Sequence, residues 1–141
     1  MLLRTAHALF IGVGLVGLWT APKAESASLD GSWRGTGTVS FFLGTTEHTR
    51  CRASYTHTSE TSYSVTAVCM TSSGKAAQTA ILRLNGENRY IGNFHNREYN
   101  VSGTISVVVR GATQFVTLTS DTASGSMTLT RLHDAPVAPA R

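Results

Sequence analysis

Tyr99-Asn100-Val101-Ser102-Gly103-Thr104-Ile105-Ser106-Val107-Val108-Val109 decides the fold of this chain. Tyr99, Val101, Gly103, Ile105, Val107 and Val109 share one phase, and Asn100, Ser102, Thr104 and Ser106 share the other. Successive side chains of a strand point to opposite faces, so this period of two marks a half-buried strand rather than a helix. The pattern repeats upstream. Trp33, Gly35, Gly37, Val39 and Phe41 oppose Arg34, Thr36, Thr38 and Ser40. Cys51, Ala53 and Tyr55 alternate with Arg50, Arg52 and Ser54, and Tyr63, Val65, Ala67 and Cys69 alternate with Ser64, Thr66, Val68 and Met70. Ala80, Leu82 and Leu84 lead into the turn Asn85-Gly86-Glu87-Asn88, after which come Tyr90, Gly92 and Phe94. Downstream, Val116 and Leu118 make a short stripe beyond Gly111, and Met127, Leu129 and Arg131 share a final phase.

About eight strands follow, roughly a dozen residues apart, with turn residues between them. The links are too short for crossover helices, which forces antiparallel neighbours. An open meander would leave two exposed edges, and closing the sheet removes them. At eight strands the interior is just wide enough for side chains or one small ligand. The expected fold is all-β, a small antiparallel up-and-down barrel of about eight strands, with a two-sheet β-sandwich as the alternative.

The amino terminus reads as an export signal. Arg4 and His7 precede the apolar run Ala8–Trp19, whose twelve residues fall short of the ~20 that a membrane-spanning helix needs. A basic start, a short apolar centre and the small-residue exit Ala24-Glu25-Ser26-Ala27-Ser28 describe a cleavable secretory peptide. Cleavage after Ser26 suits Ala24 and Ser26, with Ala24 and Ser28 as other cleavage points. The expected organisation is a signal peptide over 1–26, one β domain over 27–132, and a disordered tail over 133–141 containing Pro136 and Pro139. The mature protein is expected to be periplasmic or secreted, without a membrane span.

Of the 141 residues, 115 remain after cleavage, enough for one domain with a modest core. They carry ten Lys and Arg against seven Asp and Glu, a dispersed excess without the basic run that nucleic-acid binders present. No nucleic-acid partner is therefore expected. Cys51 and Cys69 are the two cysteines, and in an exported chain they are expected to bond to each other. A hairpin turning over 57–61 sets Ala53 opposite Ala67 and Cys51 opposite Cys69, within disulfide reach.

Leu29-Asp30-Gly31-Ser32-Trp33 opens the first strand. A glycine two residues before a tryptophan at this point resembles the start of lipocalin- and avidin-like (calycin) barrels. The resemblance implies that Trp33 packs across a closed barrel end beneath an arginine from a late strand, the position that Arg131 occupies. It also implies a ligand entering the opposite, open end. The later family motifs and the long first loop of lipocalins are absent. The chain also resembles, as a compact exported β-barrel with a disulfide, small periplasmic inhibitors of metalloproteases and of lysozyme, the first of which begin near a similar G-x-W-like strand; such inhibitors act through an exposed loop or an amino-terminal arm. Ala27-Ser28-Leu29-Asp30 is the short arm available here.

Candidate binding residues are the inward aromatics Tyr55, Tyr63, Tyr90, Phe94 and Tyr99, with His95 and Arg97 from the polar stretch Asn93–Asn100, read as a connection at one barrel end. His48, Arg50 and Arg52 form an outward basic stripe. There is no G-x-S-x-G elbow, no H-E-x-x-H and no P-loop, since Ser73-Gly74-Lys75 lacks its upstream glycine. The histidines are not spaced as metal ligands. No catalytic residue, metal or cofactor is expected. The leading expectation is a non-enzymatic barrel that binds a small, partly apolar molecule; the alternatives are an interaction protein that inhibits a periplasmic protease or lysozyme, and a structural envelope component.

Overall fold

The computed structural model describes residues 28–132, together with 14 and 17–21. The expected tail lies wholly outside the described residues, and the expected signal peptide lies outside them except for 14 and 17–21. Eight strands are present among the described residues: β1 (Gly31–Phe41), β2 (Thr46–Ser59), β3 (Ser62–Thr71), β4 (Gly74–Leu84), β5 (Arg89–Asn96), β6 (Val101–Arg110), β7 (Thr113–Ser120) and β8 (Ala123–Arg131). Each pairs antiparallel with the next, and β1 also pairs with β8, so the sheet closes on itself. The described domain is an up-and-down barrel and not a sandwich.

Closure requires sharp coiling of the strands, and some inward positions then have no room for a side chain. A Cβ at Gly35 would overlap the Thr128 carbonyl oxygen of β8, and one at Gly92 would overlap the Ile81 carbonyl oxygen of β4. Both glycines fall in the inward phase of their strands, next to Trp33 and between Tyr90 and Phe94.

The β2–β3 register pairs Ala53 with Ala67 and Cys51 with Cys69. The two cysteines are bonded, with S–S 2.03 Å and Cα–Cα 4.1 Å. A bulge between His57 and Ser59 shortens the turn to Glu60–Thr61. The bond ties the middle of β2 to the open half of β3.

One barrel end is sealed. Trp33 is fully buried, and Arg131, its partner in the β1–β8 register, stacks its guanidinium 4.3 Å from the indole centroid. A cation over an indole contributes ~0.5–2 kcal/mol. The indole Nε1–H donates to the Leu29 carbonyl at 2.9 Å, while Arg131 donates to the carbonyls of Asp30 and Ser28. Leu29, fully buried, is thereby folded into the closed end of the barrel as a plug, and its N–H donates to the Tyr63 hydroxyl at 3.2 Å. Ser28–Asp30 is therefore committed to the closed end, so this part of the arm considered for an inhibitor is not free. Leu82, Val107, Val109 and Gln114 complete the buried layer.

Two variants separate the support of this end from that of the disulfide in urea unfolding. Trp33→Ala is expected to cost about 3–5 kcal/mol, the usual range for removing a buried large aromatic. The paired change Cys51→Ala with Cys69→Ala is expected to cost about 3 kcal/mol through loss of loop closure, over a sequence separation of 18. Equal and negligible losses would contradict both assignments.

Candidate functional site

The opposite end of the barrel is open. A cavity of about 380 Å³ descends between the ends of the strands. Its floor is made by Phe94, Leu118 and Cys69, and its walls by Val39, Ala76, Gln78, Asn96 and Val101. Glu47, Thr49 and Thr71 line the β2–β3 side, while Phe41, Tyr99 and Ser120–Gly125 reach the rim. Below Phe94 lies a small void of about 30 Å³, bounded by Tyr55, Val65, Ile105 and Met127. Phe94 and Leu118 line both spaces and so separate the mouth from the packed half.

The expected binding residues divide between the two ends. Phe94 borders the cavity from the inner face of β5, whereas Tyr99, expected inward on a strand, reaches it from the β5–β6 turn and is largely exposed, because β6 begins only at Val101. Tyr55, Tyr63 and Tyr90 belong to the closed half: the Tyr55 hydroxyl donates to Gln114 Oε1 at 2.6 Å, and its ring meets Trp33 edge-on at 6.3 Å. Tyr63 packs edge-on against Tyr90 at 5.4 Å and stacks on His57 at 4.1 Å. His95 is in the outward phase of β5, where its Nδ1 lies 2.8 Å from Ser102 Oγ on the barrel exterior. Arg97 is exposed in the β5–β6 turn. That turn is shorter than the Asn93–Asn100 connection read from sequence, because β5 continues to Asn96. His48, Arg50 and Arg52 are exposed on the outer face of β2.

Several lining residues carried no strong signal in the sequence. Glu47 and Thr49 continue the inward phase of Cys51, Ala53 and Tyr55 toward the mouth. Ala76 and Gln78 extend the phase of Ala80 and Leu82 in the same way, and Asn96 extends that of Phe94. Small and polar residues in an inward phase are what a lined cavity looks like in one dimension, and they blur the alternation there. The β1–β2 turn is the other omission: Phe41, Phe42 and Leu43 are exposed beside the mouth. Phe42 N–H donates to the Thr122 carbonyl at 3.0 Å, which ties this apolar tip to the β7–β8 turn. Among the described residues no three His, Cys, Asp or Glu side chains cluster as a metal site would need.

The electrostatics also differ between the ends. Hydroxyls of Ser73, Thr71 and Ser72 hold the Glu47 carboxyl below its ordinary value. Burial pushes the Tyr55 phenol upward, against the smaller effect of its bond to Gln114. Burial, then Tyr63 and Asp30, push Tyr90 up to about 12.

No known family's sequence pattern matches this chain. No curated protein matches it in sequence. Among solved structures, the redesigned β-barrel mFAP1 bound to DFHBI superposes with a TM-score of 0.63 at 15% identity, covering 73% of this chain and 94% of that one. The redesigned barrel mFAP0 bound to DFHBI gives 0.61 at 15% identity, covering 73% and 98%. A de novo designed fluorescence-activating β-barrel gives 0.58 at 14% identity, covering 73% and 93%. The likeness is one of fold.

The two raised phenols set an alkaline limit on stability. Each is neutral in the folded barrel over a range where an unfolded tyrosine, at its ordinary value of 10.0, ionises. Their contribution is therefore complete below pH 10 and is lost as pH rises toward about 12. Thermal melts from pH 8 upward should show a flat melting temperature that falls above pH 10, and Tyr55→Phe should make that fall shallower. A variant with an unchanged alkaline slope would contradict the assignment.

Proposed function

We propose that this chain is an exported, non-enzymatic barrel that binds one small, partly apolar molecule through its open end, opposite Trp33. The observation that carries the reading is the cavity itself. Its volume of about 380 Å³ lies within the ~300–1,000 Å³ of small-molecule sites, and its apolar floor with a few polar groups on the walls is their usual composition. The closed end supplies what such a site needs, a rigid base that does not have to move on binding. The solved barrels that share this fold include ones bound to DFHBI, which supports a lumen of this size as a ligand site. The Cys51–Cys69 bond supports an oxidising compartment, periplasmic or extracellular. The stacking of Arg131 on Trp33 supports kinship of design with lipocalin-like barrels.

Titration with the neutral fluorophore N-phenyl-1-naphthylamine tests the reading. One molecule should bind per chain, with enhanced emission. Ala76→Phe, which puts a ring into the cavity from β4, should weaken binding by about tenfold or more, a change of ~1.4 kcal/mol or more, while melting as the parent does. Gly125→Leu fills the same space from β8, where a Cβ meets only ordinary contacts. Dye binding that ignores both variants would overturn the reading.

The exposed Phe42-Leu43 tip favours a second reading, an interaction protein that inhibits a periplasmic hydrolase through this hairpin. It predicts stoichiometric inhibition of lysozyme or of a periplasmic metalloprotease, abolished by Phe42→Ser with Leu43→Ser. Undiminished hydrolase activity at excess barrel would contradict it.

A further inference from the structure

Glu47 stands in the cavity wall, opposite Val39 in the β1–β2 register and two residues before Thr49 in the inward phase of β2. Among the described residues it is the one lining residue with a formal charge; no Lys, Arg or His lines the cavity with it. Its two oxygens are treated differently. Oε1 accepts hydrogen bonds from Ser72 Oγ at 3.1 Å and from Ser73 Oγ, both on the β3–β4 turn. Oε2 is shielded from solvent and has no hydrogen-bond partner among the described residues. Shielded acceptors without a donor are rare in folded proteins, and each calls for a physical account.

Protonation of the carboxyl does not supply one. The turn hydroxyls lower its pKa, so the group is a carboxylate at neutral pH. Charges on the rim do not compensate it either: Lys75 and Arg97 are exposed beyond the mouth, as are Glu98 and Asp121, and the two signs offset each other. The carboxylate is thus the one formal charge in the cavity lining, and no cation in that lining offsets it among the described residues.

We propose that the Glu47 carboxylate, turned on its side-chain torsions from the shielded position toward the cavity, anchors the cationic nitrogen of an amine ligand, whose apolar body lies deeper against Phe94, Val101 and Leu118. This deepens the ligand-binding reading given above and rests on it. The arrangement orders the ligand along the barrel axis. An apolar floor accepts the hydrocarbon or aromatic part, while the anionic wall nearer the rim holds the ammonium where it keeps some hydration. An ammonium–carboxylate bond is stronger than a neutral one, and the partly enclosed mouth screens it less than open water would. An anionic ligand of the same shape meets repulsion at that point, and a neutral one gains no anchor.

Two probes that share a fluorophore and a chain, one with a cationic amine and one capped as a neutral amide, test this. Dansylcadaverine carries a free amine on a five-carbon chain, and its N-acetylated counterpart is neutral. The wild-type protein should bind the amine about tenfold more tightly than the acetylated form, the equivalent of one charge-assisted hydrogen bond. Glu47→Gln keeps shape and hydrogen-bonding capacity but removes the charge; it should bring the amine to the affinity of the acetylated probe and leave the acetylated probe unchanged. That unchanged affinity also reports an intact cavity in the variant. Equal binding of both probes to wild-type protein, or a preference that survives Glu47→Gln, overturns the cation site and leaves the ligand-binding barrel standing. Failure of both probes to bind the folded wild-type protein overturns both.

Discussion

An eight-stranded sheet this small closes only if its strands bend hard enough for β1 to meet β8, and at Gly35 the two backbones come too close for any side chain between them. There the Thr128 carbonyl oxygen occupies the space that a Cβ would need. The rest of the molecule depends on that contact. It lets β1 run between β2 and β8 in one register, which sets Trp33 beside Arg131 and Phe41 beside Ala123 at the opposite end. A methyl group at Gly35 would force the strands apart, at a cost of roughly 3 kcal/mol or more for an overpacked core.

From closure follows the difference between the ends. At the Trp33 end the large side chains converge: Leu29 plugs the centre, Arg131 covers the indole, and Tyr55, Tyr63 and Tyr90 interlock beneath. At the other end the inward positions carry Thr49, Ala76, Gln78, Asn96 and Gly125, which are too small or too polar to fill the lumen. The disulfide lies at the boundary between the two, since Cys69 belongs to the cavity floor and Cys51 to the small void beneath it. The open cavity is therefore confined to one end, and the closely packed plug to the other.

The same division explains which features the sequence discloses. Strands with large inward residues, such as Val101–Val109 in β6 and Tyr63–Cys69 in β3, are legible because alternation is strong where the core is full. The Cys51–Cys69 pairing is legible because a hairpin centred near Glu60 leaves few other registers. The barrel as a closed ring is legible from the number of strands and the brevity of their links. The mouth is much less so. Gly74–Thr79 of β4 and Thr46–Thr49 of β2 have inward residues that are small, polar or charged, and alternation cannot announce them. The aromatic residues were visible as an inward set, but one-dimensional phase does not say which end of a strand a residue occupies. Hence Tyr55, Tyr63 and Tyr90 fall with the plug while Phe94 and Tyr99 fall with the cavity. Glu47 acquires its meaning only when the β3–β4 turn folds Ser72 and Ser73 onto one of its oxygens.

The central claim is that one end of this barrel is a plug and the other a ligand site. Methyl-region NMR during titration with N-phenyl-1-naphthylamine tests it most directly, because apolar reporters exist at both ends. Saturable shifts at Val39, Val101 and Leu118, with Leu29, Leu82 and Val107 unmoved, are the predicted result. Shifts confined to the exposed Ile81 and Ile91 of the outer face, or spread equally through both ends, would contradict it.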